Sequence, residues 1–172
     1  TYSIEAALRS ELFAEVMVST DDEEIARIAR QAGAKVPFMR SSENAGDYAS
    51  TDDVLLEVLE WYREQGREFD TFCCLYPTAP FVTARKLREA MGMLEQADSV
   101  MPVVAFSYPP QRCMILNEKG ELRMKWPEYA KTRSQDLEPY YHDCGQFYCC
   151  RTKPFLEYKT TDSSKTVRSH DN

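Results

Sequence analysis

The chain has 172 residues, of which 43% are hydrophobic and 28% charged, a composition typical of one globular domain and not of a disordered chain. Its formal net charge is −7, and it lacks the basic stripe that proteins use to bind duplex DNA. No apolar run approaches the roughly 20 residues that span a bilayer, and there is no secretory leader. We therefore expect a cytoplasmic protein that binds neither nucleic acid nor membrane.

The first strand and helix are predicted between residues 15 and 33. Residues 15–19 are typical of a short buried strand, and the polar stretch Thr20–Glu23 that follows is typical of a helix start. Gly33 then predicts the helix end. The apolar residues between them recur at helical spacing and predict the buried face: Ile25, Ile28, Ala29 and Ala32.

A second helix is predicted from Thr51 to about Gly66, followed by the apolar strand Phe72–Tyr76 and a third helix that Thr83 caps. Alternating strands and helices imply a parallel sheet with right-handed crossovers, covered by helices on both faces. Ligands of such sheets bind beyond the carboxyl ends of the strands. The sequence therefore points to two loops as binding loops, Ser19–Asp22 and Tyr76–Pro80.

The pattern changes after residue 98. Val100–Ala105 is a predicted strand, two short strands flank the turn at Asn117–Gly120, and Gln146–Cys150 is the last strand. We interpret the chain as one domain, residues 1–172, in which residues 106–145 form a β-rich arm. Arms of this kind often reach a neighbouring subunit, which favours a homodimer.

The six cysteines do not suggest a metal site or disulfides. There is no CxxC spacing, and the chain has only two histidines, which disfavours zinc. Neighbours such as Cys73 and Cys74 point to opposite faces of a strand and are poor disulfide partners. We expect small, reduced core residues. The chain also has neither a Walker loop nor a dinucleotide-binding glycine fingerprint.

Two segments carry side chains suited to ligand binding. Pro77, Thr78, Ala79 and Pro80 form a stiff loop that can hold a flat ring or offer a backbone acceptor, although a plain strand-to-helix turn is an alternative. Arg133 stands beside Gln135 and is a bidentate cation suited to a carboxylate or phosphate. The alternative is that this segment is a solvated surface loop without a binding role.

The segments Tyr140–Asp143 and Gly145–Tyr148 are rich in hydrogen-bonding aromatic side chains. They are compatible with a polyhydroxylated ligand, and equally with the core and rim of the arm. Asp21 and Asp22 could bind Mg²⁺, which prefers carboxylate oxygens. Acidic residues at helix starts are common anyway, because they complement the helix dipole.

Several motifs occur together in a recognisable order, and the chain from about Tyr2 to Leu156 resembles the acylneuraminate cytidylyltransferases, or CMP-sialic acid synthetases. The segment Ser107–Arg112 is similar to the branch that acts on pseudaminic acid. The motifs that carry the resemblance are Val18–Ile25, Val36–Arg40, Leu75–Pro80, Thr132–Leu137 and His142–Tyr148.

The resemblance implies an α/β fold, namely the Rossmann-like, three-layer nucleotidyltransferase fold of the nucleotide-diphospho-sugar transferases, with a β-rich dimerisation arm. It implies a reaction between CTP and a nine-carbon acidic sugar (a nonulosonic acid), with Mg²⁺ as cofactor. The sequence does not identify the residues that bind the metal. By similarity, Arg40 and Thr51 lie near the nucleotide, and Pro77, Thr78, Ala79 and Pro80 border the base and ribose. Arg133, the catalytic candidate, pairs with the sugar carboxylate, and the remaining sugar-binding candidates are Gln135, Asp143, Gln146 and Tyr148.

Two family features have no match in this chain. The resemblance places a glycine- and arginine-rich phosphate loop upstream of Thr1 and a metal-binding aspartate pair near the end, which Thr160–Asn172 does not match. Sialic, legionaminic and keto-deoxy-octonic acids are alternative sugars. A sugar-1-phosphate nucleotidyltransferase is a further alternative, and so is a non-catalytic fragment that keeps the fold for binding or assembly.

Overall fold

The computed structural model describes residues 1–161 and the backbone of residues 166–170. The chain divides into two compact units: the first consists of Thr1–Pro102 and Gly145–Ser169, and the second is mainly Val103–Cys144. The helices are α1 Tyr2–Ser10, α2 Glu23–Gln31, α3 Thr51–Glu64, α4 Ala84–Met93 and α5 Thr152–Tyr158. The strands are β1 Thr71–Leu75, β2 Ser99–Ala105, β3 Met114–Leu116, β4 Leu122–Met124, β5 Tyr141–Asp143, β6 Phe147–Arg151 and β7 Thr166–His170.

The sheet of the first unit is mixed. Strand β6 lies between β1 and β2 and is antiparallel to both, with Cys149 opposite Cys73 on one side and opposite Val100 on the other. Strands β1 and β2 therefore run parallel to each other and are joined through α4, as the strand–helix rhythm predicts. The expectation of a purely parallel sheet was wrong, because that rhythm reports only local connections and β6 enters from far along the chain. Strand β7 pairs with β2.

The predicted strand at residues 15–19 is reduced to one parallel bridge between Met17 and Lys35. The Val18 amide donates to the Lys35 carbonyl over 2.8 Å, and the Lys35 amide donates to the Val16 carbonyl over 2.9 Å. This short ladder fixes the segment that leads into Ser19 and α2.

Helix α2 is present, but its predicted buried face was only partly right. Ala26 and Ala29 are buried, whereas Ile25 and Ile28 are 51% and 41% exposed. Small side chains on the inner face let the helix approach its neighbours closely, and apolar spacing alone does not reveal this. The helix start also differs, because the Asp22 carboxylate accepts the cap hydrogen bond from the Ile25 amide over 2.9 Å.

Helices α3 and α4 agree with the sequence pattern and begin at strong caps. Ser50 and Asp53 form a reciprocal capping box at α3, which the sequence analysis missed, and Thr83 caps α4 as predicted. The core of the first unit contains Leu87, Val100 and Phe147, all fully buried. Helices α1 and α5 were not predicted. Helix α1 packs on α4, and its buried residues are small: Ala6, Ala7 and Ser10.

A buried carboxylate ties the parallel bridge to α3. The side chain of Glu15 is 4% exposed and accepts hydrogen bonds from Lys35 and Arg67, each over 2.8 Å, and from the Tyr62 hydroxyl. Burial opposes the charge of Glu15, but these three donors together lower its pKa to about 2. Burial and the neighbouring Glu15 raise the pKa of Tyr62.

The six cysteines are free thiols. Cys149 and Cys150 are buried as expected, and the Cys149 thiol donates to the Cys73 sulfur over 3.0 Å. Burial raises the pKa of Cys74 and of Cys150 to about 12, and the Asp52 carboxylate adds to both shifts. Cys113 is exposed, so the prediction that it is a core residue was wrong.

The second unit has little interior. Of residues 103–144, Gln111 is the only buried one. Strands β3 and β4 form the predicted hairpin, and the end of β2, Val103–Ala105, pairs with β5. The exposed large apolar residues of this unit are Val104, Phe106, Tyr108, Met114, Leu116, Leu122, Tyr140 and Tyr141. In the described part of the chain, no helix is both long and apolar enough to cross a membrane.

Candidate functional site

The proline loop follows β1 directly, as predicted. Pro77, Thr78 and Pro80 are exposed, whereas Ala79 is buried in the core of the first unit. The Ala79 amide donates to the Tyr76 carbonyl over 3.3 Å, which closes the turn. The loop therefore presents its two prolines and Thr78 to solvent, and Ala79 anchors it from below.

Arg40 holds the other predicted loop. Its Nε donates to Ser19 Oγ over 3.0 Å, its guanidinium also bonds the Ser19 carbonyl, and its amide donates to the Thr20 carbonyl over 2.9 Å. The positive charge of Arg40 also acts on Glu57 of α3. Burial would raise the pKa of Glu57, but hydrogen bonds from Ser41 and the charge of Arg40 lower it. The segment around Arg40 is thus fixed between the Ser19 loop and α3.

Tyr76, at the end of β1, brings several candidate residues together. Its hydroxyl shares a 2.7 Å hydrogen bond with Thr51 Oγ1 at the start of α3. Its ring lies edge-on to the Tyr148 ring, with 5.6 Å between centroids, and its amide donates to the Gln146 carbonyl over 3.0 Å. The structure therefore joins Thr51, the proline loop, Gln146 and Tyr148 within the first unit. Tyr76 begins the predicted binding loop Tyr76–Pro80, but a role for its side chain was not predicted, although a hydroxyl-bearing aromatic at the carboxyl end of a strand was a usable signal.

The second unit carries Arg133, which already has a partner. Its Nε and Nη2 atoms donate to the two carboxylate oxygens of Asp136 over 2.8 and 3.2 Å. The two side chains are 72% and 46% exposed, and such surface pairs contribute only about 0–1 kcal/mol to stability. A ligand carboxylate can therefore compete with Asp136 for the guanidinium. The sequence analysis did not foresee this pair.

Gln135 and Asp143 also lie in the second unit. Gln135 lines an open pocket of about 520 Å³ together with Phe106 and Tyr140. Asp143 is exposed on β5, where its backbone pairs with Val103. The predicted sugar-binding residues are thus divided: Arg133, Gln135 and Asp143 belong to the second unit, and Gln146 and Tyr148 to the first.

The described residues do not form a metal centre. Within residues 1–161, no group of three or more His, Cys, Asp or Glu side chains could hold a metal ion. Asp22, one of the two predicted candidates, caps α2 instead. Most of the segment Thr160–Asn172, where the resemblance places the metal motif, lies outside the described residues.

Comparisons with known proteins show the family to which the chain is similar. A family model described as Cytidylyltransferase matches residues 1–158. The chain is 42% identical over 159 residues to a Campylobacter jejuni protein named pseudaminic acid cytidylyltransferase, covering 91% of this chain and 68% of that protein. It is 32% identical over 172 residues to a Legionella pneumophila protein named CMP-N,N'-diacetyllegionaminic acid synthase, covering 96% of this chain and 72% of that protein.

The fold is shared with a solved nucleotidyltransferase. The structure of CMP:2-keto-3-deoxy-manno-octonic acid synthetase in complex with CTP superposes with a TM-score of 0.64 at 20% identity. The match covers 99% of this chain and 78% of that chain. At this identity the likeness concerns the fold alone, and it confirms the predicted α/β nucleotidyltransferase fold.

Proposed function

Because the chain belongs to the cytidylyltransferase family and is a nucleotidyltransferase, we propose that it joins CMP from CTP to pseudaminic acid and releases pyrophosphate. The observation that carries this proposal is the identity with the Campylobacter jejuni enzyme, which extends over nearly the whole chain. The product would be an activated sugar for surface glycans or flagellin.

In the proposed reaction, the anomeric hydroxyl oxygen of the sugar attacks the α-phosphorus of CTP. A sugar O–P bond forms, the bond between the α-phosphorus and the bridging oxygen breaks, and pyrophosphate leaves while the hydroxyl loses its proton. Such a displacement needs positioning and charge stabilisation more than covalent catalysis by the protein. A rigid framework around the two substrates is therefore the main requirement.

The first unit supplies the proposed nucleotide side. Arg40 and Thr51 are held in place, Arg40 by Ser19 and Thr51 by Tyr76, and the exposed prolines of the Pro77–Pro80 loop are available to border the base and ribose. Gln146 and Tyr148 are proposed to contact the sugar, and both adjoin Tyr76. These roles place both substrates around the carboxyl end of β1.

The second unit supplies the proposed carboxylate partner. Arg133 would exchange the Asp136 carboxylate for that of the sugar, and Gln135 and Asp143 would bind its polar substituents. Until the substrate arrives, Asp136 would occupy the guanidinium fork. An arginine is suited to this exchange, because its fork binds any carboxylate in the same bidentate geometry.

Mg²⁺, a cytoplasmic location and a homodimer complete the proposal. Because the described residues offer no metal centre, we propose that Mg²⁺ enters with the CTP phosphates, which is its usual mode of binding. The cytoplasm is proposed because CTP is made there. The homodimer is proposed because the second unit exposes many apolar side chains and buries almost none.

The direct test is pyrophosphate release. The complete protein, incubated with CTP, Mg²⁺ and pseudaminic acid, should release pyrophosphate, and EDTA should stop the reaction. N-acetylneuraminic and legionaminic acids should be poorer substrates by kcat/KM, and a preference for either would change the assigned sugar. Absence of pyrophosphate with every nonulosonic acid would contradict the proposal. Calorimetry with CTP on the 172-residue chain would then test for a binding-only protein.

Arg133 provides the sharper test. Arg133→Ala should lower kcat/KM for the sugar about a hundredfold, because a charged hydrogen-bonded partner of the carboxylate is lost. Asp136→Asn, which removes the competing charge, should instead lower KM for the sugar. The matched control is Arg123→Ala, an exposed arginine on β4 of the same unit, which should leave both constants unchanged. Equal losses of kcat/KM in the Arg133 and Arg123 variants would contradict the proposed role of Arg133.

A further inference from the structure

Tyr76 is fixed in position by its main chain. It is half-buried and stands between the last residue of β1 and the proline loop. Its amide donates to the Gln146 carbonyl over 3.0 Å, and its carbonyl accepts from the Ser3 hydroxyl of α1 over 3.0 Å. Both backbone polar groups are therefore hydrogen-bonded to residues distant in sequence. These bonds fix the backbone from which the side chain extends.

The side chain of Tyr76 connects two elements. At its tip, the hydroxyl shares the 2.7 Å bond with Thr51 Oγ1. Along its edge, the ring meets Tyr148 at an interplanar angle of 83°. Gly145, which has a φ of +59° that favours glycine, lies on the same side: a Cβ there would be 4.0 Å from Tyr76 Cδ2. One rigid ring thus spans from the start of α3 to the segment before β6.

We propose that Tyr76 is a positioning residue that couples the nucleotide side of the site, through Thr51, to the sugar side, through Tyr148 and Gln146. This inference rests on the proposed function. Tyr76 itself is not required to touch either substrate. Its hydroxyl orients the Thr51 hydroxyl, and its ring sets the position of Tyr148.

The reaction makes such coupling consequential. The sugar hydroxyl must meet the α-phosphorus in line, and misplacement by about 1 Å can cost a hundredfold in rate. A tyrosine is suited to fixing two groups relative to each other, because it has only two side-chain torsions and ends in a hydrogen-bonding group. Substitution of a residue that only packs would have a different effect. It would lower the amount of folded enzyme, and therefore kcat, and would leave both KM values unchanged.

The test separates the two ends of the side chain. Tyr76→Phe keeps the ring contact with Tyr148 and loses the bond to Thr51, so KM for CTP should rise about fivefold while KM for the sugar stays within about twofold. Tyr76→Leu loses both contacts and should raise both KM values. Tyr158→Phe, at a tyrosine that is 56% exposed in the same unit, is the matched control and should change neither constant.

A double-mutant cycle makes the coupling specific. Thr51→Val removes the partner hydroxyl at nearly constant volume and should raise KM for CTP at least as much as Tyr76→Phe does, because Thr51 is also the proposed nucleotide contact. The double variant should show no further rise, because the shared bond is already broken. Additive effects would overturn the inference, and so would variants of Tyr76 that lower only the melting temperature and kcat.

The wild-type assay distinguishes failure of this inference from failure of the proposed function. If the wild type releases pyrophosphate with any sugar, the cycle is run on that sugar, and unchanged KM values overturn the coupling alone. If it releases none, the proposed function fails, and the cycle is run by calorimetry with CTP. A fivefold weaker CTP affinity in Tyr76→Phe then supports the link to Thr51. Unchanged affinity, or no CTP binding by the wild type, overturns it.

Discussion

The two units of this chain differ in how many of their side chains they bury. The first unit surrounds a core with fully buried Leu87, Val100 and Phe147. In residues 103–144, the single buried side chain is that of Gln111, whose Nε2 donates to the Glu138 carbonyl over 2.9 Å and whose Oε1 is buried without a partner. A buried polar group stabilises little when half of it is unsatisfied. The first unit is therefore held by its own hydrophobic core, whereas the second leaves many of its apolar side chains exposed.

The difference matters for the proposed reaction. The candidate nucleotide residues, Arg40 and Thr51, are on the self-sufficient unit, where packing and hydrogen bonds fix their side chains. Arg133 is on the other unit, in an exposed ion pair. Preorganisation depends on rigid supporting contacts. The nucleotide side of the proposed site should thus be formed in any folded chain, whereas Arg133, the proposed carboxylate partner, should be the least fixed part of the sugar side.

The largest expected effect comes from breaking the core of the first unit. Phe147→Ala removes a fully buried ring and should lower the free energy of unfolding by about 3–5 kcal/mol. The matched control is Phe106→Ala in the second unit, where the ring is 45% exposed; we expect a loss below about 1 kcal/mol. Urea denaturation followed by circular dichroism measures both. Similar losses in the two variants would contradict the contrast between the units.

The contrast was only partly predictable from sequence. Helix α3, the β3–β4 hairpin and strand β6 were predicted, because their apolar periods and turns are local signals. The burial of Ala26 and the exposure of Ile25 and Ile28 on α2 were not, because a hydrophobicity pattern does not report which small side chains pack closely. The position of β6 between β1 and β2 joins residues that are far apart in sequence, such as Leu75 with Phe147 and Val100 with Cys149, and has no local signal.

The candidate site was likewise predictable in its composition but not in its connections. Local sequence supplied the proline loop and Arg133, and the family resemblance supplied Arg40 and Thr51. The bond from Thr51 to Tyr76 needs the geometry of two distant elements. Arg133 and Asp136 are only three residues apart, so their ion pair was predictable from the sequence. It was overlooked because Arg133 was interpreted as a partner for a ligand.

A moderate effect is expected at Glu15, the buried carboxylate of the first unit. Its folded pKa of about 2 lies below its ordinary value of 4.5, so its stabilising contribution is complete above pH 4.5 and is lost as pH falls towards 2. The full pKa difference corresponds to about 3 kcal/mol. Because solvent screens the partners Lys35 and Arg67, which are 65% and 44% exposed, Glu15→Gln should lower the free energy of unfolding at pH 7 by about 2 kcal/mol and flatten the acid limb of the stability curve.

The control for Glu15 is Glu5→Gln, which removes an exposed pair with Arg9 and should cost less than about 0.5 kcal/mol. Urea midpoints between pH 2 and 7 compare the variants with the wild type. An acid limb as steep in Glu15→Gln as in the wild type would show that other carboxylates control acid unfolding.

The smallest effect on stability, and the sharpest on assembly, is expected at the hairpin of the second unit. Leu116 and Leu122 are directly opposite each other on β3 and β4, and they are 66% and 64% exposed. Leu116→Lys with Leu122→Glu places opposite charges across the strands, which preserves the hairpin while removing its apolar face. The free energy of unfolding of the first unit should change by less than about 0.5 kcal/mol, because neither residue belongs to its core.

The proposed homodimer, however, should dissociate, since two charges would have to be buried at its interface. Sedimentation equilibrium should show the wild type at about twice the chain mass of 19.9 kDa and the double variant at the single mass. Arg123→Gln, on the opposite face of the same hairpin, is the control and should remain dimeric. A wild type that sediments as a monomer would refute the dimer, and the exposed face would then need a different partner. A double variant that stays dimeric would move the interface away from this hairpin, and would leave the exposed apolar residues of the second unit outside it.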